Sequence, residues 1–140
     1  MEAFKINCIE SGKVITLVSG VEQVVTIMNV VQINTDNSVF THSAETGEIT
    51  ILRNSYIECN GKMYLINTDD ETPNLSIYLN VNGVRKYTMF TGLPYTKVLA
   101  ENQFSVLAND VITISILSED DIDVETTDDE NYFIINRFMK

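Results

Sequence analysis

Glu119, Asp120, Asp121 and Asp123 lie within one stretch, EDDID, the densest group of hard oxygen donors in the chain. Several carboxylates meeting at one point can hold Ca2+. The spacing lacks the ligand positions and central glycine of an EF-hand loop. A run of like charges is more simply a solvated loop, because its members repel one another. Three copies of the loop around an axis could still share an ion. Asp69, Asp70 and Glu71 form a second acidic group, followed by Thr72-Pro73. Paired carboxylates can serve a glycosidase as acid and base, but no aromatic residue stands beside these in sequence to carry a sugar. His42 is the only histidine, with no Cys, Ser or Asp at a useful spacing, so a structural role is expected. Cys8 and Cys59 each sit in an apolar run without a CxxC motif, and read as buried thiols acting as small hydrophobes. A disulfide between them is possible but unsignalled. No catalytic constellation emerges, so the chain is expected not to be an enzyme and to need no cofactor.

Aromatic residues offer a different chemistry. Tyr78, Tyr87, Phe90 and Tyr95 cluster around one candidate hairpin and the turn after it. Tyr87, Phe90 and Tyr95 could contact a glycan or a partner protein. The alternative is half-buried strand aromatics, since aromatics favour strands in any case.

The elements that must position these residues are strands. Val, Ile and Thr total 44 of 140 residues and Ala only 4. Branched side chains lose rotamer freedom in a helix and pack well on a pleated sheet. The 14 asparagines disfavour helix further. One domain is the prior at this length, with enough surface buried on folding to form a core. The net charge is −11, and eight of the acids lie between Ser118 and Asn131, so the rest of the chain is near −3. Such a chain repels phosphate backbones and anionic bilayers, so neither nucleic-acid binding nor membrane insertion is expected. No apolar run approaches bilayer-spanning length. The N-terminus lacks a basic start followed by an apolar stretch, so folding in a reducing cytosol is expected.

Two stretches define the pattern. Leu75 to Tyr87 (LSIYLNVNGVRKY) is a pair of alternating runs broken by Asn82-Gly83, which predicts a hairpin with a type I′ turn. Phe104 to Leu117 (FSVLANDVITISIL) has the same form around Ala108-Asn109-Asp110 and also reads as a hairpin. Short strands are predicted at Phe4 to Ile9, Lys13 to Val18, Val39 to His42, Ile49 to Leu52 and Tyr95 to Leu99. Gln23 to Ile33 is one long apolar run, too β-branched for a helix. Ser55 to Ile66 keeps its alternation in phase across Gly61, which favours one long strand over a hairpin at Asn60-Gly61. A short strand is possible inside the acidic loop, and Asn131 to Phe138 is the last strand. About ten strands at this spacing suit a sandwich or barrel. Gly12 and Gly20 bracket the first twenty residues, so residues 1–20 could be an arm, with a domain at 21–140.

The order of five features resembles the tumour-necrosis-factor and complement globular-head superfamily. They are Thr46-Gly47-Glu48-Ile49-Thr50, the long strand Tyr56 to Ile66, Asn82-Gly83-Val84, Leu107-Ala108-Asn109-Asp110-Val111, and the aromatic strand Tyr132 to Phe138. Asn109 stands where that superfamily usually has Gly, and Asn136-Arg137 replaces small residues. The resemblance implies a ten-stranded, two-sheet jelly-roll sandwich that packs as a homotrimer. It places the strands near Tyr56 to Ile66, Val111 to Leu117 and Tyr132 to Phe138 in one inner sheet, with Tyr56, Tyr64, Tyr132 and Ile134 as interface candidates. It further implies a non-enzymatic virion protein, such as a phage head fibre or capsid decoration. That protein would be made in the host cytoplasm, displayed on the virion surface, and docked to other virion proteins through the N-terminal arm. A tail-tip module binding cell-surface saccharide is the alternative, and a small β-sandwich hydrolase a third class.

Overall fold

The computed structural model describes residues 2–8, 12–67, 74–92, 95–126 and 131–139, with the backbone alone described at 67, 95–98 and 139. Thirteen strands and no helix are found among them. They are β1 (Glu2–Asn7), β2 (Val14–Leu17), β3 (Gln23–Val24), β4 (Val30–Asn34), β5 (Phe40–His42), β6 (Ile49–Ile51), β7 (Ser55–Asn67), β8 (Leu75–Val81), β9 (Val84–Gly92), β10 (Tyr95–Val106), β11 (Asp110–Ser118), β12 (Ile122–Thr126) and β13 (Tyr132–Met139). Ten of them form two antiparallel layers, β4-β1-β13-β7-β10 and β5-β6-β11-β8-β9. The additions are β2 and β12 on the first sheet and β3 on the second. This is the expected two-sheet jelly roll, with three short strands beyond the ten expected.

Between the layers lies a core of alternate residues. From the first sheet come Phe4, Ile57, Cys59, Met63, Leu65, Phe133 and Ile135, and from the second Ile49, Ile51, Leu75, Ile77, Leu79 and Ile112, all buried. Aromatic pairs link the layers at two places, Phe4 with Phe40 (ring centroids 5.5 Å apart) and Tyr87 with Phe104 (5.4 Å). Offset and tilted ring pairs of this kind add to the area they bury.

β7 is a single strand, as its unbroken alternation predicts. Gly61 does not turn the chain. A Cβ there would run into the carbonyl oxygen of Tyr132 and crowd the Phe133 Cα, so the residue is small because β13 passes close. Asn82 (φ 53°) and Gly83 (φ 78°) both have positive φ and join β8 to β9 as a type I′ hairpin. Asn109 also lies at positive φ (74°), a conformation asparagine tolerates better than most residues.

Four expectations are corrected. The turn at Ala108-Asn109-Asp110 is tight, but it carries the chain from β10 in the first sheet to β11 in the second, so the two strands do not pair as a hairpin. For the same reason Val111 to Leu117 does not share a sheet with β7 and β13. Alternation shows that one face of a strand is buried, but not which sheet the strand joins. The apolar run from Gln23 to Ile33 is two strands in different sheets. It breaks where Val25 donates its amide to Ile114 O (2.8 Å) and Met28 enters the core. Finally, residues 2–7 are not a separate arm. β1 pairs with both β13 and β4, and Phe4 and Ile6 are buried in the common core.

Candidate functional site

Alternation on β7 turns Tyr56, Glu58, Asn60, Lys62, Tyr64 and Ile66 away from the core. β13 lies beside it in register, with Tyr132 opposite Lys62, Ile134 opposite Asn60 and Asn136 opposite Glu58. Tyr56, Tyr64, Tyr132 and Ile134 therefore share one outer face of the first sheet. Lys5 on β1 extends the face, its ammonium 4.8 Å from the Tyr132 ring centroid. Toward the start of β7, Tyr56 lies 6.5 Å from the Phe138 ring and its hydroxyl donates to Gln103 Oε1 (3.3 Å). Gln103 in turn donates to Glu58 Oε2 (3.2 Å). Tyr56, Ile66 and Phe138 remain more than a third exposed.

Two polar side chains unseen as functional in the sequence hold this face in shape. Asn131 is fully buried just before β13. Its Oδ1 accepts from Tyr64 N (3.1 Å) and its Nδ2 donates to Tyr64 O (3.2 Å). β13 pairs with β7 up to Lys62 and β12 pairs with it from Leu65, so the amide bridges the gap between two ladders on one edge. Arg137 donates to Glu2 Oε1 (2.6 Å), Ser55 Oγ (2.7 Å) and Asn54 O (3.3 Å). It thus ties the start of β1 and the start of β7 to the end of β13. An asparagine next to an aromatic strand and an arginine within one were the available signals.

The outer face of the second sheet is polar. Ser115 and Thr113 on β11 stand opposite Tyr78 and Asn80 on β8. Asn80 Nδ2 donates to Ser115 Oγ (3.0 Å), and Ser115 Oγ donates to Glu22 Oε2. Glu22 also pairs with Arg85 (2.8 Å), whose guanidinium lies 3.5 Å from the Tyr78 ring centroid. The Ser115 hydrogen bond, aided by Arg85, holds the Glu22 carboxyl below its ordinary range. Asn80 Oδ1 is buried without a hydrogen-bond partner.

The other predicted residues do not come together. Glu119 Oε1 accepts from Asn74 N (2.9 Å) and Asp121 Oδ1 from Ser19 N (2.7 Å), so these carboxylates brace neighbouring loops. Asp123 lies within β12. Among the described residues no three of His, Cys, Asp and Glu are arranged to hold a metal ion. Tyr87 and Phe90 are half-buried and pack against the core. The Tyr95 side chain and residues Asp69, Asp70 and Glu71 lie outside what is described. His42 faces Phe4 (6.0 Å), and burial lowers its pKa. Cys8 and Cys59 are buried thiols, and burial, with the Glu58 charge, pushes the Cys59 thiol far up. No helix among the described residues is long and apolar enough to cross a membrane.

No family model matches the chain, and no curated protein sequence matches it. Solved structures do. Murine APRIL at pH 8.0 superposes with a TM-score of 0.65 at 9% identity, covering 98% of both chains. Rabbit GITRL gives 0.64 at 13% identity, covering 99% of this chain and 95% of that one. Eiger TNF from S. frugiperda gives 0.62 at 10% identity, covering 99% and 92%. At such identities the likeness is one of fold, and the fold of this chain is the tumour-necrosis-factor jelly roll that the order of its turn motifs implies.

Proposed function

We propose that the protein is a non-enzymatic, homotrimeric jelly roll that works by assembly and adhesion, as a head fibre or capsid decoration on a phage particle. The observation that supports the trimer is the contrast between the two outer faces. The first sheet turns Tyr56, Tyr64, Ile66, Tyr132 and Ile134 outward, while the second turns out Asn80, Thr113 and Ser115 beneath an ion pair. A surface whose aromatic residues stand on rigid strands suits burial against a copy of itself. Closed association about one axis would leave the polar face in solvent. The virion setting rests on the superfamily resemblance and on the absence of any function that one chain performs by itself in this reading.

Light scattering tests the assembly. The expected mass is three times the 15.8 kDa of the chain. Ile134→Lys, on the proposed interface, should give a folded monomer. A monomeric parent protein, or a trimer that Ile134→Lys leaves intact, would refute the interface. The particle role is tested separately, by whether antibody to the protein labels intact virions of a phage that encodes it.

A second reading, a tail-tip receptor-binding module for cell-surface saccharide, is favoured by the hydroxyl-rich outer face of the second sheet.

A further inference from the structure

On that face, beside the Glu22–Ser115–Asn80 network, lies a cleft of about 360 Å3 lined by Ser19, Gly20, Asn74, Ser76, Thr91, Leu117, Ser118 and Glu119. We infer that this cleft is a binding site for a neutral saccharide. Its lining has the chemistry such a ligand needs. Ser76 and Thr91 stand opposite each other on β8 and β9, their hydroxyls 3.5 Å apart. Each hydroxyl can donate and accept, as each sugar hydroxyl can. Glu119 adds a carboxylate acceptor, already oriented by Asn74 N. Leu117 supplies an apolar patch for the C–H face of a pyranose ring.

Further along β8 from Ser76, Tyr78 is buried beneath the Arg85 guanidinium, and Asn80 Oδ1 is buried without a partner. An anionic ligand is disfavoured. Glu119 lies in the cleft, Asp120 and Asp121 follow it in the chain, and the Arg85 guanidinium is paired with Glu22. The cleft has a volume suited to a small sugar unit. Three features give the site its form: the loop of Ser19 and Gly20 is fastened across the cleft's rim by Ser19 Oγ to Glu119 O (2.6 Å), by Ser19 N to Asp121 Oδ1 (2.7 Å) and by Gly20 N to Ser118 O (3.0 Å).

The inference deepens the adhesive half of the proposed function and rests on it, but the cleft lies on the face that the trimer leaves free. The two can therefore fail separately. The experiment is a 1H–15N correlation titration of the full chain, its oligomeric mass first measured. The probes are glucose, galactose, N-acetylglucosamine and their β-linked disaccharides, with sialic acid as the anionic arm. Binding in the millimolar range is expected for at least one neutral sugar, with shifts at the amides of Ser76, Thr91, Ser118 and Glu119. Ser76→Leu and Thr91→Leu each fill the cleft from an accessible strand position, and either should abolish those shifts while mass and spectral dispersion persist. No shift with any neutral sugar, stronger shifts with sialic acid, or binding that survives both substitutions would overturn the assignment, whatever the oligomeric state.

Discussion

Replacing Asn131 by Ala should destabilise the protein more than any other single asparagine substitution outside the turns. The side chain is fully buried, and its amide makes both hydrogen bonds that a paired strand residue would make to Tyr64, at 3.1 and 3.2 Å. Truncation removes two bonds and leaves a backbone N–H and C=O without partners at a position hemmed in by β12 and β13. Each unsatisfied buried group costs about 1–3 kcal/mol, and a water entering the space would recover part of it. The expected loss is therefore about 2–4 kcal/mol. Urea unfolding followed by circular dichroism measures it, at fixed protomer concentration because assembly would add a mass-action term. With a slope of about 2 kcal/mol per molar, the midpoint should fall by about 1–2 M with no change in slope. Asn102→Ala is the control. Among the described residues that amide bonds Ala100 O, two residues away, at 3.0 Å, and its loss should shift stability by less than about 0.5 kcal/mol. Asn131→Asp adds a sign. The carboxylate keeps the acceptor for Tyr64 N but sets a second oxygen against Tyr64 O. Burial and that clash raise its folded pKa above the unfolded value, so the variant should gain stability as pH falls and lose it as pH rises through the folded pKa. A cost below about 0.5 kcal/mol for Asn131→Ala, or equal costs at 131 and 102, would show that the amide does not stand in for the missing ladder.

Gly61→Ala should be more damaging than its chemistry suggests, with a loss of about 3 kcal/mol or more, because the new methyl meets Tyr132 O and the Phe133 Cα rather than solvent; a midpoint within error of wild type in the same assay would refute the close approach. Gly83→Ala, at φ 78° with open space around it, should cost only about 1–2 kcal/mol, a purely backbone effect. Glu22 has a lowered pKa, so its contribution is present above its ordinary value of 4.5 and lost as pH falls through the lower folded value; Glu22→Gln should flatten the acid limb of a stability–pH curve, and parallel curves would count against the Ser115 and Arg85 contacts. His42, with a pKa held below its ordinary 6.5 by burial, should titrate late by NMR, and stability should drop as pH falls from 6.5 through that lower value.

What was legible in the sequence follows a physical line. Turn chemistry acts locally, so Asn82-Gly83 could be read directly, and both residues have the positive φ that a type I′ turn requires. Alternation also acts locally, which is why β7 could be read through Gly61 as one strand. Sheet membership is a long-range property. Nothing between Phe104 and Leu117 distinguishes a hairpin from a crossover, because both need a tight turn between alternating runs. The difference lies in Ile49 to Ile51 and Leu75 to Val81, which claim the edges of β11 before β10 can. Period-2 spacing along β7 and β13 places Tyr56, Tyr64, Tyr132 and Ile134 on one face once the strands are adjacent. An aromatic in a strand has the same sequence signature whether it faces a ligand or the opposite sheet, and Tyr87 packs on Phe104 of the opposite sheet.

The two turns that stand out most in the sequence also meet in space. Asn82 Nδ2 donates to Asp110 Oδ1 (2.9 Å), Val111 N donates to Asn82 Oδ1 (2.9 Å), and Asn82 N donates to Val111 O (2.8 Å). Asp110 Oδ2 accepts from Leu107 N (2.9 Å). One asparagine thus closes its own hairpin and fastens the crossover between the sheets, which explains why both turns need specific side chains and not only glycine. The consequence is mechanical. The crossover fixes β11 against β8, and β11 and β8 together carry Ser115, Tyr78, Asn80, Leu117 and Ser76, the residues of the polar face and part of the cleft's lining. Asn82→Ala should therefore loosen that face while leaving β7 and β13 in register, because no part of the first sheet's central pairing depends on it. Amide hydrogen exchange separates the cases. Faster exchange confined to β8, β9 and β11 supports a local fastening, whereas uniform acceleration in β7 and β13 as well would mean that the two faces are one cooperative unit and that the division of labour between them has no mechanical basis.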